Sequence, residues 1–318
     1  STPATITNYE YSTDGGTTWR ARNTTGTSSP LTITLKSDTG LTLVANTSYS
    51  VKIRAVNGGG SGVASSATSG LTLSAAPTGA SASGVAGEPT KLSVAFTAPT
   101  GVGTITGYEF STDGGSTWAS ATGSATPITL TGLTANTAYT QLQIRAVTSA
   151  GSGTATANFS GTTVLAAPTI SSIVGASTTS LTVNVTAPAG TISSWQYSTD
   201  GTNWKTGTVA NGVMTISQTS PVGTTALSVN TAYSVTVRAN SAAGTGTAST
   251  AVAGTTLPAA PTISAYAGYT GDGTKMTLTI GAASGSASIT GYKWSTNGST
   301  WTAATIVDST TVVVSGLA

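Results

Sequence analysis

Ile105-Thr-Gly-Tyr108-Glu-Phe110-Ser111-Thr-Asp113-Gly-Gly-Ser-Thr-Trp118 decides the fold, because the same phrase stands elsewhere in the chain with the same surroundings. Near the start it reads Ile6-Thr-Asn-Tyr9-Glu-Tyr11-Ser12-Thr-Asp14-Gly-Gly-Thr-Thr-Trp19. It returns more loosely as Ile192-Ser-Ser-Trp195-Gln-Tyr197-Ser198-Thr-Asp200-Gly-Thr-Asn-Trp204 and Ile289-Thr-Gly-Tyr292-Lys-Trp294-Ser295-Thr-Asn297-Gly-Ser-Thr-Trp301. The final tryptophans are spaced by roughly 90 to 100 residues, the size of an independently folding domain rather than of a solenoid turn or a propeller blade. Tyr108 and Phe110 share one parity and Glu109 takes the other, which predicts a strand with its aromatics toward a core and its carboxylate toward water. Asp113-Gly114-Gly115 tolerates left-handed conformations and predicts a tight hairpin, with Trp118 starting the returning strand.

Working outward from this strand, Leu92-x-Val94-x-Phe96 alternates as a half-buried strand that ends at Ala98-Pro99-Thr100-Gly101. Ile128-x-Leu130-x-Gly-Leu133 supplies another strand. Asn136-Thr137-Ala138-Tyr139 opens the next, which closes with Ile144-Arg145-Ala146-Val147 before Gly151-Ser152-Gly153 turns the chain. Ala75-Ala76-Pro77, Ala166-Ala167-Pro168 and Ala259-Ala260-Pro261 punctuate the sequence as short linkers, since proline fixes φ and biases the residue before it toward extended backbone. About seven short strands per unit, with turns between, predict a two-sheet antiparallel sandwich. The expected units are a partial domain at 1–75 lacking its first strands, complete domains at 76–166 and 167–259, and a partial domain at 260–318 lacking its last strands. The ragged ends predict either a window onto a longer array or completion of the half-domains by another chain.

Only 6% of residues are charged, against about 25% in an ordinary globular protein. Thr, Ser, Ala and Gly take their place, so the faces of the strands are expected to be hydroxyl-rich, and an extracellular setting is expected. The net charge is +2 and the basic residues are scattered, which gives no electrostatic footprint for nucleic acid or an anionic membrane. No apolar run approaches the ~20 residues needed to cross a bilayer.

Asn136-Thr-Ala-Tyr139 ahead of Ile144-Arg145-Ala146 resembles the start of strand F in fibronectin type III domains. The phrase recurs as Asn46-Thr-Ser-Tyr49 with Arg54-Ala55 and as Asn230-Thr-Ala-Tyr233 with Arg238-Ala239. The Ala-Pro starts and the Gly-x-Gly between the last strands are also similar to that family. The resemblance implies tandem fibronectin type III-like (Ig-like) β-sandwiches, beads on a string, with each tyrosine closing the corner between strands E and F. Where the family usually carries tryptophan on its second strand, this chain has Phe96, Val185 and Ile280, which suggests that core bulk has moved to the signature aromatics. The chain thus looks like a divergent bacterial or bacteriophage branch. Ser-x-Asp-x-Gly-x-Thr-Trp also resembles the Asp-box of sialidases and other propeller proteins, which is itself a structural hairpin. The clustered arginines that sialidase chemistry needs are replaced here by Arg54, Arg145 and Arg238 in separate units.

The chain has no histidine and no cysteine, so neither a Ser-His-Asp nor a Cys-His nucleophile can be assembled. Glu10 with Asp14 and Glu109 with Asp113 suggest an acid and a base, yet the matching pairs are Gln196 with Asp200 and Lys293 with Asn297. No catalytic, cofactor-binding or metal-binding residue is expected. Trp19, Trp118, Trp204 and Trp301 are expected to cap their own cores, with sugar stacking as the competing role. Insertions around Lys36 to Gly40 and Ser217 to Thr224 are expected to touch neighbouring domains or chains. The reading is a non-enzymatic structural repeat protein forming an adhesive extracellular stalk, fibre or filament on a bacterial surface or virion. Its expected partners are adjoining repeats, copies of itself and surface glycans. The alternative is a spacer or carbohydrate-binding region of a polysaccharide-active enzyme.

Overall fold

The computed structural model describes residues 5–23, 26–220, 225–281 and 283–317. The described residues contain strands and no helix. Contacts gather the chain into two compact units, Ser1–Val85 with Thr90–Thr163 and Ala86–Pro89 with Val164–Ala318.

In the second repeat, the strands Thr78–Val85, Glu88–Thr97 and Ile128–Leu130 form a 3-stranded sheet, with Glu88–Thr97 in the middle. The other sheet runs Gly151–Ser152, Ala138–Thr148, Ile105–Ser111, Ala119–Ser120, and Phe159–Thr162 joins it on Ala138–Thr148. Strict alternation puts Leu92, Val94 and Phe96 from one sheet against Tyr108, Phe110, Leu142 and Ile144 from the other, and all of them are buried in one core. Phe96 meets Tyr108 edge to face, with ring centroids 4.7 Å apart. Aromatic bulk on the signature strand thus occupies the space facing the second strand, as the reading of Phe96 anticipates.

The third repeat repeats the plan. Thr169–Ser177, Ser180–Thr186, Val213–Ile216 and Val209–Ala210 form one sheet; Lys205–Gly207, Ser194–Ser198, Ala232–Ser241 and Gly244–Ala248, with Val252–Thr255, form the other. Val183, Val185, Tyr197, Met214, Val235 and Val237 meet between them. Among the described residues the first repeat has a single sheet, Arg20–Ala21, Asn8–Ser12, Ser48–Asn57 and Gly60–Ser61, with Thr68–Leu71 on Ser48–Asn57. The fourth has Thr262–Tyr269, Asp272–Gly281, Thr311–Ser315 and Thr305–Ile306 in one sheet and only Lys293–Trp294 with Thr302–Ala303 in the other.

The tyrosine corner forms in every repeat that carries the phrase. Tyr49, Tyr139 and Tyr233 place their hydroxyls as acceptors for the backbone N–H of Val44, Thr134 and Ser228, at 2.9, 2.9 and 2.7 Å. The asparagine of each phrase is left-handed, with φ of 50° at Asn46, 48° at Asn136 and 46° at Asn230, a conformation that asparagine tolerates better than most residues. Strands begin directly after Pro77, Pro168 and Pro261.

One expectation needs correction. The signature hairpin is not a tight turn: residues 112–118 form a longer loop between Ile105–Ser111 and Ala119–Ser120, whose backbone folds round to bring Thr117 N onto the exposed Asp113 carboxylate. The insertions fold back onto their own repeats. Ser37 Oγ accepts from Thr13 N at 2.9 Å, and Ser220 Oγ accepts from Thr199 N at 2.7 Å. The second insertion continues through 221–224, outside the described residues.

Ile144 is fully buried at the centre of the second core. Ile144→Ala is expected to lower the free energy of unfolding by about 2 to 5 kcal/mol, read by urea denaturation. Val63→Ala, at a side chain that is 97% exposed, should leave it unchanged.

Candidate functional site

Three recurring arrangements sit on the outer faces and at the ends of the sandwiches. The first is the loop built around the signature aspartate. Ser12 Oγ donates to Asp14 Oδ1 at 2.6 Å and accepts from Gly16 N at 2.8 Å, while Asp14 accepts from Thr18 N at 2.9 Å and Thr18 Oγ1 at 2.6 Å. Ser111, Asp113, Gly115 and Thr117 repeat these bonds at 2.6, 2.8, 2.9 and 2.6 Å. Asp200 is held by Asn203 through its backbone N–H and its side chain, both at 2.8 Å. Asn297 takes the same place in the fourth copy and accepts from Ser299 N and Thr300 N at 2.9 Å. The carboxylate's acceptor positions are thus spent on the loop itself.

The second arrangement covers the tryptophans. Register places Glu10 opposite Arg54, Glu109 opposite Arg145 and Gln196 opposite Arg238, all on the face away from the core. Arg54 Nε donates to Glu10 Oε2 at 2.7 Å, Arg145 Nε to Glu109 Oε2 at 2.7 Å, and Arg238 Nε to Gln196 Oε1 at 2.8 Å. Each guanidinium then lies over an indole, 4.2 Å from the Trp19 ring and 3.9 Å from those of Trp118 and Trp204. The indole N–H is tied back to the loop, from Trp19 to Gly16 O at 3.1 Å and from Trp118 to Gly115 O at 3.0 Å. Trp19, Trp118 and Trp204 do not cap their cores as expected: they are half-buried outside, as the base of an arginine stack, while Trp301 is exposed. The cause is parity, since Arg145 points away from Ile144 and Ala146. A half-exposed cation–π contact and a surface ion pair together stabilise by about 1 kcal/mol. The stack also occupies the indole face that a sugar ring would need.

The third arrangement joins successive repeats within each unit. Asn46 N donates to Leu73 O in its own repeat at 2.9 Å, Asn46 O accepts from Val102 N of the next at 2.8 Å, and Asn46 Nδ2 donates to Gly103 O at 3.0 Å. In the other unit Asn230 N donates to Leu257 O at 3.1 Å, Asn230 O accepts from Ala287 N at 2.8 Å, and Asn230 Nδ2 donates to Ala287 O at 2.6 Å. Gly101 and Gly285 press against these asparagines with φ of 146° and 129°, and a Cβ on either would run into the asparagine. The linker is pinned on its other side too. Thr154 N donates to Ser74 O at 2.9 Å, and a Cβ on Gly153 would stand 2.6 Å from that oxygen, which explains the second glycine of Gly-x-Gly.

The paired carboxylates weighed as acid and base do not converge on a site. Glu10 and Glu109 are bound to arginine and serine, and Asp14 and Asp113 to their loops. Among the described residues, no group of His, Cys, Asp and Glu is gathered to hold a metal ion. No helix among them is long and apolar enough to cross a membrane.

The fibronectin type III domain family model matches residues 75–162. Among solved structures, the crystal structure of the chicken CNTN1 FN1-FN3 domains aligns with 80% of this chain and 96% of its own chain, at 16% sequence identity and a TM-score of 0.35. No curated protein matches the sequence. The family match places a fibronectin type III domain at residues 75–162, and the sheet topology makes the fold class all-β, with antiparallel, sandwich-like sheets in tandem.

The aspartates set an acid dependence. Donation from Ser12 and Thr18 to Asp14, from Ser111 and Thr117 to Asp113, and from Asn203 and Thr202 to Asp200 holds each carboxyl well below its usual range. A carboxyl depressed in the folded state contributes stability that is complete above its unfolded value near ~4 and is lost as pH falls toward the folded value. The urea midpoint is therefore expected to hold from pH 7 to about 5 and to decline below about 4. Asp113→Asn, which copies the natural Asn297, should keep the loop while making that decline shallower. An unchanged acid limb would contradict the account.

Proposed function

We propose that this chain is a non-enzymatic structural segment of an extracellular stalk or fibre on a bacterial surface or virion, in which tandem sandwiches serve as spacers. The observation that carries the reading is the recurring joint: within each compact unit the corner asparagine, Asn46 in one and Asn230 in the other, clasps the next repeat through backbone and side chain together. Binding modules tethered for independent movement do not need such joints, because domains joined by small polar interfaces move relative to one another by default. A spacer does need them. Each asparagine is held left-handed by its own repeat before it meets the neighbour, so little conformational freedom remains to be lost in the clasp.

The composition suits the same role. A surface of hydroxyls and amides with few charges lets neighbouring repeats or chains lie side by side without electrostatic repulsion. The carbohydrate-binding alternative is disfavoured by the arginine stack, which closes the indole face in the first, second and third repeats.

Intact cells or particles from the natural source, probed with antibodies raised against residues 76–166, test this reading. Labelling of external appendages before lysis is the expected result. Labelling only after lysis, or hydrolysis of a polysaccharide that depends on residues of this segment, would contradict it.

A further inference from the structure

A longer period runs through the chain than that of one sandwich. Asn46 and Asn230 lie 184 residues apart, and so do Gly101 and Gly285, and Gly103 and Ala287. The turn Gly87-Glu88-Pro-Thr-Lys91 of the second repeat returns at the same interval as Gly271-Asp272-Gly-Thr-Lys275, and Gly132-Leu133 returns as Gly316-Leu317. The first and third repeats share a feature of their own. Thr13 and Ser37 each donate a backbone N–H to the other's hydroxyl at 2.9 Å, and Thr199 and Ser220 do the same at 2.7 and 3.0 Å. The first repeat thus matches the third, and the second matches the fourth.

The alternation reaches the joints. The clasp uses a loop of fixed length, Gly101-Val-Gly-Thr-Ile105 in the second repeat and Gly285-Ser-Ala-Ser-Ile289 in the fourth. The third repeat has Gly190-Thr-Ile192, two residues shorter, which leaves no room before Ile192 for counterparts of both Val102 and Gly103, the donor and the acceptor that meet Asn46. Asn136 is left-handed like Asn46 and Asn230, yet it is only half-buried, whereas they are 1% and 4% exposed. The linkers differ in the same rhythm. Leu165 stands where the other two linkers have Ser74 and Pro258. Val164 and Leu165 are fully buried, although neither is part of the core of the second or the third repeat. Within the second compact unit Thr247 N donates to Leu165 O at 3.1 Å, and a Cβ on Gly246 would stand 2.9 Å from that oxygen.

We propose that the repeating unit of this chain is a pair of sandwiches, and that two chemically different joints alternate along it. Within a pair, the first repeat with the second and the third with the fourth, the joint is the asparagine clasp, which is made of hydrogen bonds. Successive pairs are linked through the buried apolar segment Val164-Leu165, and Asn136 takes no part. A clasp depends on its donors and acceptors staying in place, whereas an apolar segment is held by the area it removes from water, so each kind of joint can be broken without the other. This order of joints holds whether or not the chain serves as a spacer.

The test is amide hydrogen exchange on the full chain. The amides of Val102 and Ala287 report on the two clasps, that of Thr247 on the apolar linker, and those of Ile144 and Val237 on the cores of the second and third repeats. Replacing asparagine by glycine removes the side chain and keeps the left-handed backbone. Asn46→Gly is expected to speed exchange at Val102, and Asn230→Gly at Ala287, by about fivefold. Asn136→Gly should leave Thr247 as it was. Leu165→Ser, which copies Ser74, should speed exchange at Thr247 by about tenfold or more without changing Val102 or Ala287. If Leu165→Ser also opens Val237, Leu165→Ala is the milder variant for the same comparison. Faster exchange at Thr247 in Asn136→Gly would show that one kind of joint recurs throughout and would overturn the alternation. Unchanged exchange at Thr247 in both Leu165 variants would overturn the apolar link, and unchanged exchange at Val102 in Asn46→Gly would overturn the clasp and the pair with it.

Discussion

The pairing of each signature strand with the long strand that follows the tyrosine corner is the interaction on which the rest of a repeat depends. One ladder does two jobs because its side chains alternate. On one face it buries Tyr108 and Phe110 against Leu142 and Ile144, and on the other it sets Glu109 beside Arg145 and Arg145 over Trp118. A slip of one residue would exchange the faces, placing arginine and glutamate in the core and the aromatics in water. The fourth repeat shows what the ladder supplies, since without it Trp301 stands exposed and the floor of Met276, Leu278 and Ile280 is open.

Much of this was legible in the sequence because it is local or periodic. Alternation at Leu92, Val94 and Phe96 announced a buried strand face and the Asn-Thr-x-Tyr phrase announced the corner, whereas Asp113-Gly114-Gly115 suggested a tight hairpin where the aspartate organises a longer loop. The arginine stack was not legible in the same way. Arg145 and Trp118 come together only through the register of two strands, and sequence spacing does not specify which face a residue preceding a short strand will take. The inter-repeat clasp was hidden for a related reason. Gly101 and Gly285 read as ordinary loop glycines until the asparagine of the preceding repeat is seen against them.

With few charges, the chain relies on short polar groups placed where water is partly excluded, and these act over hydrogen-bond distances only. Their effect is to fix loops and joints rather than to attract partners from afar. Asn46 is representative: a left-handed backbone, a bond to its own repeat and two bonds to the next leave little room for the joint to pivot.

That rigidity is the centre of the account and can be measured directly. The chain has no cysteine, so spin labels at Val63→Cys in the first repeat and Ser124→Cys in the second would be unique. Pulsed electron spin resonance is expected to give one narrow distance distribution that broadens on Asn46→Ala. A distribution already as broad with Asn46 in place would contradict the account.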